Sequence, residues 1–343
     1  MEKRNIDPRY SRQALLSQIG TTGQEKIQEG SAVIIGCGAL GTVIANNLAR
    51  SGVNRIRIVD RDFVEIDNLQ RQILFDEDDA KGRVPKAVAA VEKLKKINSS
   101  IELEPVISDV NLKNVEILIN GFQVVLDATD NIETRFLLND ACIKLGIPWI
   151  YGAAVGACGM TMPIIPNRSP CFRCFIKDMP PPGSLETCDR TGVLNSVTSI
   201  VASLQTTFAL KLLIEANDLV TGQLIFIDVW ENTFHNLGVN KNDNCITCVK
   251  RNFEFLEGKA TSWTTALCGR NMVQIVPAEE SELSLESLEK ALAIAGEVSN
   301  NGFMITLKVQ NFELIIFPTG RALVKGTTDE GIARTLYAKY VGT

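Results

Sequence analysis

A chain of 343 residues with 45% hydrophobic content is long enough for a large α/β domain and a smaller second one. Its formal charge of −5 and pI near 5.2 argue against a general nucleic-acid or anionic-membrane binder. The first residues, MEKRNIDPRYSRQALL, lack the apolar core of a signal peptide, so a cytoplasmic protein is expected.

In chain order, the first half alternates apolar strand-like runs with helical patterns. Strands are expected at Ala32–Ile35, Ile56–Val59, Ile101–Val106, Val124–Ala128 and Trp149–Gly152, with a helix at Lys86–Ile97. That alternation predicts an α/β fold: a Rossmann-like, doubly wound, mostly parallel sheet. The segment Gly192–Glu215 is apolar enough to raise a membrane span. It carries too many polar groups for one, among them Asn195, Gln205 and Thr206, so a helix buried in protein is expected instead. Strands follow at Leu224–Val229 and Leu237–Val239. KRNFEFLEGKATSW then reads as a junction between domains 1–258 and 259–343. The second of these is a small C-terminal α+β domain, with strands at Val273–Val276, Met304–Val309, Leu314–Phe317 and Ala322–Lys325 and helices at Leu285–Ala295 and Glu330–Tyr340.

The run AVIIGCGALG ends in a turn, Gly36-Cys37-Gly38-Ala39-Leu40-Gly41, that fits the glycine fingerprint of a nucleotide-binding strand–turn–helix. Asp60, at the end of the next strand, stands where a ribose hydroxyl is bound. NAD is the usual ligand of this pattern, but the residues behind Asp60 argue for a polyphosphate. Asp62, Asn68, Arg71 and Gln72 follow at once, and Lys86, Asp130 and Asn131 come later. Cations converging on a strand-end crevice suit phosphate oxygens that gain charge during attack at phosphorus. A carboxylate there, Asp130, suits Mg2+.

Nine cysteines against one histidine point to metal or redox chemistry rather than a disulfide framework. Cys171 and Cys174 form one C-x-x-C pair, Cys245 and Cys248 another, and four thiolates suit a closed structural Zn2+ site. Incidental buried cysteines or a redox dithiol are the alternatives. Cys188 falls in a Pro-rich loop ahead of the long apolar helix, with Arg190 nearby to favour its thiolate. Cys37, Cys142 and Cys158 read as small packing residues, and His235 as structural.

The ordered set RYSRQ, GCGALG, DRDFVEIDNLQRQ, PK, LDATDN, the two C-x-x-C pairs and TCDRTGV resembles the ubiquitin-activating-like (E1-like) adenylyltransferases, specifically the bacterial molybdopterin-synthase and thiamine-thiazole sulfur-carrier activators. The resemblance covers residues from about 9 to 250. It implies a cytoplasmic homodimer that uses ATP and Mg2+ to adenylate the C-terminal glycine of a small ubiquitin-like carrier ending in Gly-Gly, releasing pyrophosphate. Asp60 would hold the ribose, Asn68, Arg71 and Lys86 the triphosphate, and Asp130 the Mg2+. Arg12 would act from the other protomer, and Cys188 would join the carrier covalently in some members. A cysteine desulfurase or another sulfur donor is a candidate further partner. An adenylating dehydratase acting on a modified tRNA base, a non-catalytic scaffold of the same fold and an NAD-dependent oxidoreductase are the competing readings. Residues 261–343 lack the active-site loop of the rhodanese domains that some eukaryotic relatives carry, and a carrier-docking or regulatory role is expected for them.

Overall fold

Val, Ile and Leu runs too short for helices pair here as the centre of an eight-stranded sheet in a computed structural model that describes residues 6–180, 191–216, 221–259, 266–267, 271–275 and 283–341. The chain divides into two units, Met1–Lys81 with Pro85–Ala260, and Gly82–Val84 with Thr261–Thr343.

The first unit opens with the short helices α1 (Ser11–Ala14) and α2 (Gly20–Gln28). Then follow β1 (Ser31–Ile35), α3 (Ala39–Ser51), β2 (Arg55–Asp60), α4 (Glu77–Lys81), α5 (Lys86–Ile97), β3 (Glu102–Ile107), α6 (Val115–Ile119), β4 (Val124–Asp127), α7 (Ile132–Leu145) and β5 (Trp149–Val155). After β5 come β6 (Cys158–Ile164), α8 (Phe172–Phe175), the long helix Asn195–Leu213, β7 (Gln223–Asp228) and β8 (Thr233–Gly238). The strand order is β3-β2-β1-β4-β5-β6-β7-β8. β3 to β5 pair in parallel, and β6, β7 and β8 extend the sheet antiparallel. Val33, Ile34, Ile56, Ile58, Val124 and Val125 are buried on both faces of the parallel half, so those strands read as continuous apolar runs rather than alternations.

The order of strand addition reverses about β1: β2 and β3 are added on one side of it and β4 and β5 on the other, all in parallel. The crevice beyond the carboxyl ends of β1 and β4 is the ligand position of such sheets, and Gly36 and Ala128 flank it. One core cluster beside the sheet joins Val33, Ile35 and Val125 to Phe136, Leu138 and Cys142 of α7, and to Cys171, Phe172, Cys245 and Phe255. Phe136 stacks on Phe255 with ring centroids 4.7 Å apart and meets Phe172 edge-on at 5.2 Å, so α7 packs against both cysteine segments. The helix Asn195–Leu213 is long and apolar enough to cross a membrane by length and composition. Its buried residues, Val197, Val201, Ala202, Gln205 and Ala209, lie on a helix that packs on β4, β5, β6 and α3, as expected for a helix held in protein.

The second unit is a six-stranded antiparallel sheet in the order β11-β12-β13-β14-β10-β9. Its strands are β9 (Ala266–Leu267), β10 (Met272–Ile275), β11 (Glu297–Asn300), β12 (Ile305–Val309), β13 (Phe312–Ile316) and β14 (Ala322–Lys325). Helices Leu285–Leu292 and Glu330–Tyr340 close a core of Val273, Leu292, Ile305, Leu307, Leu314, Ile316 and Ala333. The first helix stops at Leu292, short of the expected Ala295, and β11 was not foreseen. β11 is the sheet's edge, and its four residues, EVSN, hold one apolar side chain, too few to mark a strand.

Candidate functional site

At the carboxyl end of β1 the chain must turn within a few residues into α3, which starts at Ala39. Three glycines serve that turn for three different reasons. Gly36 has φ +94°, and a Cβ there would lie 2.6 Å from the Ala128 carbonyl oxygen, so the β4 loop presses directly on the turn. A Cβ on Gly41 would lie 2.0 Å from the Gly36 carbonyl oxygen, so this residue sets how closely α3 packs on the turn. Gly38 is different. It is the N-cap of α3 with negative φ, and a Cβ there would meet nothing closer than Gln72 Nε2 at 3.9 Å. The space over Gly38 therefore lies open at a helix N-terminus, the position where backbone N–H groups receive an anion. Gln72 is buried beside it, and its Oε1 has no hydrogen-bond partner among the described residues.

Asp60 splints the turn. Its Oδ2 accepts from the Cys37 N–H at 2.6 Å and its Oδ1 from the Asp62 N–H at 2.7 Å. Burial pushes this carboxyl up, and the Lys86 ammonium pulls it back down. Burial raises the Cys37 thiol well above its ordinary value, so it packs as a neutral side chain. Lys86 begins α5: its N–H donates to the Asp62 carbonyl at 2.9 Å, and its buried Nζ lies 3.6 Å from Asp62 Oδ2. A lysine held this deep keeps its charge only beside anions. The 3-10 turn Ile66–Asn68 places the next group. Buried Asn68 accepts from the Glu65 N–H at 3.1 Å, while the Arg71 and Gln72 N–H groups donate to its carbonyl. Arg71 is half-buried and donates to the Asp67 carbonyl at 2.8 Å. Arg61 was not singled out from the sequence, but it borders the group, 2.7 Å from Asp109 and 3.8 Å from Asp62. Burial disfavours its charge, and Asp109, Asp62 and Asp130 outweigh that and raise its pKa.

Beyond β4, Asp127 and Asp130 diverge. Asp127 is fully buried and paired with Arg135 at 3.1 Å, whereas Asp130 is exposed and makes no hydrogen bond or ion pair among the described residues. Asn131, not Asp130, caps α7, accepting from the Glu133 N–H at 2.8 Å. The Asp130 carboxylate is thus not used as the helix cap and is left exposed after β4. The contacts thus join Gly36–Gly41, Asp60, Asp62, Asn68, Gln72, Lys86 and the β4 loop around one crevice. Arg12 stands apart on α1, exposed, with no hydrogen bond or ion pair among the described residues. Cys188, Arg190 and Cys268 lie outside the described residues.

A second centre lies on the far part of α7. The sulfurs of Cys171, Cys174, Cys245 and Cys248 all fall within 4.8 Å of one another, with Cys171–Cys245 at 3.5 Å, Cys174–Cys248 at 3.6 Å and Cys171–Cys174 at 3.9 Å. Four sulfurs around a tetrahedral ion at about 2.3 Å would stand about 3.8 Å apart, so the set fits zinc without rearrangement. Left as thiols they share protons: hydrogen bonds among them raise Cys171 and Cys248 and lower Cys174 and Cys245. Buried polar groups orient the cluster. The Asn139 Oδ1 accepts from the Phe172 N–H at 3.0 Å, with its Nδ2 3.8 Å from Cys171 Sγ. Asp140 accepts from Thr247 Oγ1 at 2.9 Å and from the Phe255 N–H at 3.0 Å. Neither residue was singled out from the sequence, because an Asn-Asp pair in mid-helix carries no signal until its partners some 30 and 110 residues away are known.

Cys142, Cys158 and His235 lie away from both centres among the described residues. Cys142 is buried in the core beside α7. Cys158 is half-buried on β6, its Sγ 3.5 Å from Asp228 Oδ2, which corrects its reading as a packing residue. His235 follows β7 and lies in β8, with its ring stacked 6.4 Å from Phe226.

Comparison with known proteins agrees with this geometry. The model of the ThiF family matches residues 10–247. The sulfur carrier protein ThiS adenylyltransferase of Bacillus subtilis is 41% identical over 342 residues, covering 97% of this chain and 99% of that protein. The sulfur carrier protein adenylyltransferase of Thermus thermophilus is 34% identical, covering 72% of this chain and 92% of that protein. Among solved structures, Escherichia coli MccB with ATP superposes with a TM-score of 0.62 at 23% identity, covering 71% of this chain and 74% of that one, a likeness of fold alone. With the glycine turn, Asp60, Lys86 and the first cysteine pair inside the matched span, and the likeness to the Bacillus subtilis protein running over nearly the whole chain, the chain belongs to the ThiF family.

Proposed function

We propose that this protein uses ATP to adenylate the C-terminal glycine of a ubiquitin-like sulfur carrier. The observation that carries the reading is the open space over Gly38, walled by Gln72 and set beside buried Lys86 and outward-facing Asp130. A triphosphate seated there meets the α3 N-terminus, while Asp60 takes the ribose and Asn68, Arg71 and Lys86 take the phosphates. The carrier's terminal carboxylate attacks the α-phosphorus, the bond to the bridging oxygen breaks, and pyrophosphate departs with that electron pair. Lys86 and Arg71 stabilise the charge that accumulates on the phosphate oxygens. A carboxylate nucleophile needs no general base, in keeping with a single histidine placed in β8. Asp130 would hold Mg2+, which supplies further charge neutralisation, and the four cysteines would hold Zn2+ as a structural clip.

The ThiS type of carrier is favoured, because the likeness to the Bacillus subtilis ThiS adenylyltransferase runs over 342 residues and so takes in the second unit, which we assign as a domain of about 259–343. Carrier docking or regulation is the role we assign to it. Further parts of the reading are a cytoplasmic homodimer in which Arg12 completes the partner's site, a sulfur donor such as a cysteine desulfurase, and a covalent carrier adduct at Cys188. The test is exchange of labelled pyrophosphate into ATP with thiamine-type and molybdopterin-type carriers, each intact and lacking its last glycine. Exchange with the intact thiamine-type carrier alone supports the reading, and none with either carrier refutes it.

A further inference from the structure

The Arg135 guanidinium sits in the first turn of α7, where the helix dipole disfavours a cation. It is nonetheless largely buried, with both its Nε and its Nη2 hydrogen-bonded. Its Nε reaches Asp127 Oδ2 at 3.1 Å, and its Nη2 donates to the Thr129 carbonyl at 2.6 Å and the Gly152 carbonyl at 3.1 Å, with the Tyr151 ring 5.3 Å away. Three acceptors on three elements, the end of β4, the loop after it and β5, are thereby fixed by one side chain. Asp127 closes the other side, its Oδ1 accepting from both the Thr129 N–H at 2.9 Å and the Thr129 hydroxyl at 2.7 Å. Behind them the buried Gln205 side chain donates to the Asp127 carbonyl at 2.7 Å and the Ile150 carbonyl at 3.1 Å. The caged segment is Ala128–Asp130. Ala128 presses on Gly36 of the nucleotide turn, and the exposed Asp130 carboxylate makes no hydrogen bond or ion pair among the described residues.

We propose that Arg135 is a positioning residue for adenylation: by fastening the Thr129 carbonyl to Asp127 and β5 it sets the place of the Asp130 carboxylate over the nucleotide turn. The proposal rests on the reading of Asp130 as the Mg2+ ligand. Only a planar fork bridges the three acceptors, so lysine keeps the charge that buried Asp127 needs but loses the bridge. Arg135→Lys should stay folded and bind ATP without Mg2+ as the unaltered protein does. The Mg2+-dependent gain in ATP affinity should fall about tenfold, and carrier-dependent pyrophosphate exchange should fall roughly 10- to 100-fold in kcat with carrier KM unchanged. A purely structural role would lower the melting temperature and leave the Mg2+ dependence alone. Thr129→Val, isosteric and missing one cage bond, should show about a fivefold loss in the same direction, so the idea stays testable if Arg135→Lys does not fold.

Asp130→Asn, measured in parallel by calorimetry with and without Mg2+, separates the two ideas. If Asp130→Asn loses the Mg2+ gain while folded Arg135→Lys and Thr129→Val keep it, the positioning role is overturned and the metal reading stands. If Asp130→Asn keeps the gain, the metal reading fails. A loss in Arg135→Lys that Asp130→Asn does not share also overturns the proposal, because it places the arginine's effect elsewhere.

Discussion

The three glycines of the turn should respond differently to the same added methyl group. Gly41→Ala drives a Cβ to within 2.0 Å of the Gly36 carbonyl oxygen, backbone against backbone, so α3 must move off the turn. Overpacking of that kind costs about 1–3 kcal/mol. Gly36→Ala adds a 2.6 Å approach to the Ala128 carbonyl oxygen and an alanine at φ +94°, which costs a further 1–2 kcal/mol or so. Gly41→Ala should therefore lower the melting temperature by roughly 2–12 °C and Gly36→Ala by roughly 4–20 °C. Gly38→Ala meets open space at negative φ. Its stability should change by no more than about 0.5 kcal/mol, because nothing lies closer than 3.9 Å to the added methyl group. The methyl group would nevertheless occupy the phosphate position over the N-terminus of α3, and ATP affinity should fall at least about tenfold. Thermal denaturation beside calorimetric ATP binding reads both quantities. Wild-type ATP affinity in a folded Gly38→Ala protein would refute the placement of the triphosphate. A Gly41→Ala melting temperature equal to wild type would refute the packing argument.

Removing the ion from the four-cysteine site should unfasten the two C-x-x-C segments from α7 and lower the melting temperature by more than about 10 °C, because structural metal binding is linked to folding. Metal analysis must accompany the scan, and an unchanged transition after complete removal would contradict a structural role. Burial pushes the Asp140 carboxyl from 3.8 up to about 6, against the opposing pull of hydrogen bonds from Phe255 and Thr247. Between those values the folded state holds a proton that the unfolded chain has released. This group's stabilisation, about 3 kcal/mol, is therefore complete below pH about 4 and is lost as pH rises through 6. Asp140→Asn should flatten that part of the stability profile, and an unchanged slope from pH 4 to 7 would count against the burial argument. Cys188→Ala should leave pyrophosphate exchange intact, since adenylation precedes any thiol chemistry. Loss of exchange would move Cys188 into the first step.

Much of the nucleotide crevice was legible because its parts are local. A strand, a glycine turn and a helix in succession dictate their own geometry, and the acidic end of β2 follows it at a short spacing. The antiparallel extension was less legible. β6 carries Gly159 and Pro163 and pairs with β5 and β7 mostly within protein, so its seven residues show neither helical nor alternating order. β8 lies nearer the start of its segment than the apolar Leu237–Val239 suggested, because an edge strand with five exposed residues has no apolar run to mark it.

The sequence by itself determined the alternating α/β core, the glycine turn, the four thiols and the family, since each of these depends on residue type and short-range spacing. Only the tertiary structure decided which member of a repeated type does which work. In LDATD, one carboxylate is buried against Arg135 and the other faces outward, although the two lie three residues apart. What separates them is through-space: Arg135 from the next helix and Gln205 from a helix 78 residues on converge on Asp127 and leave Asp130 free of bonds among the described residues. Desolvation and hydrogen-bond satisfaction depend on such distant partners, and no local pattern of residues encodes them.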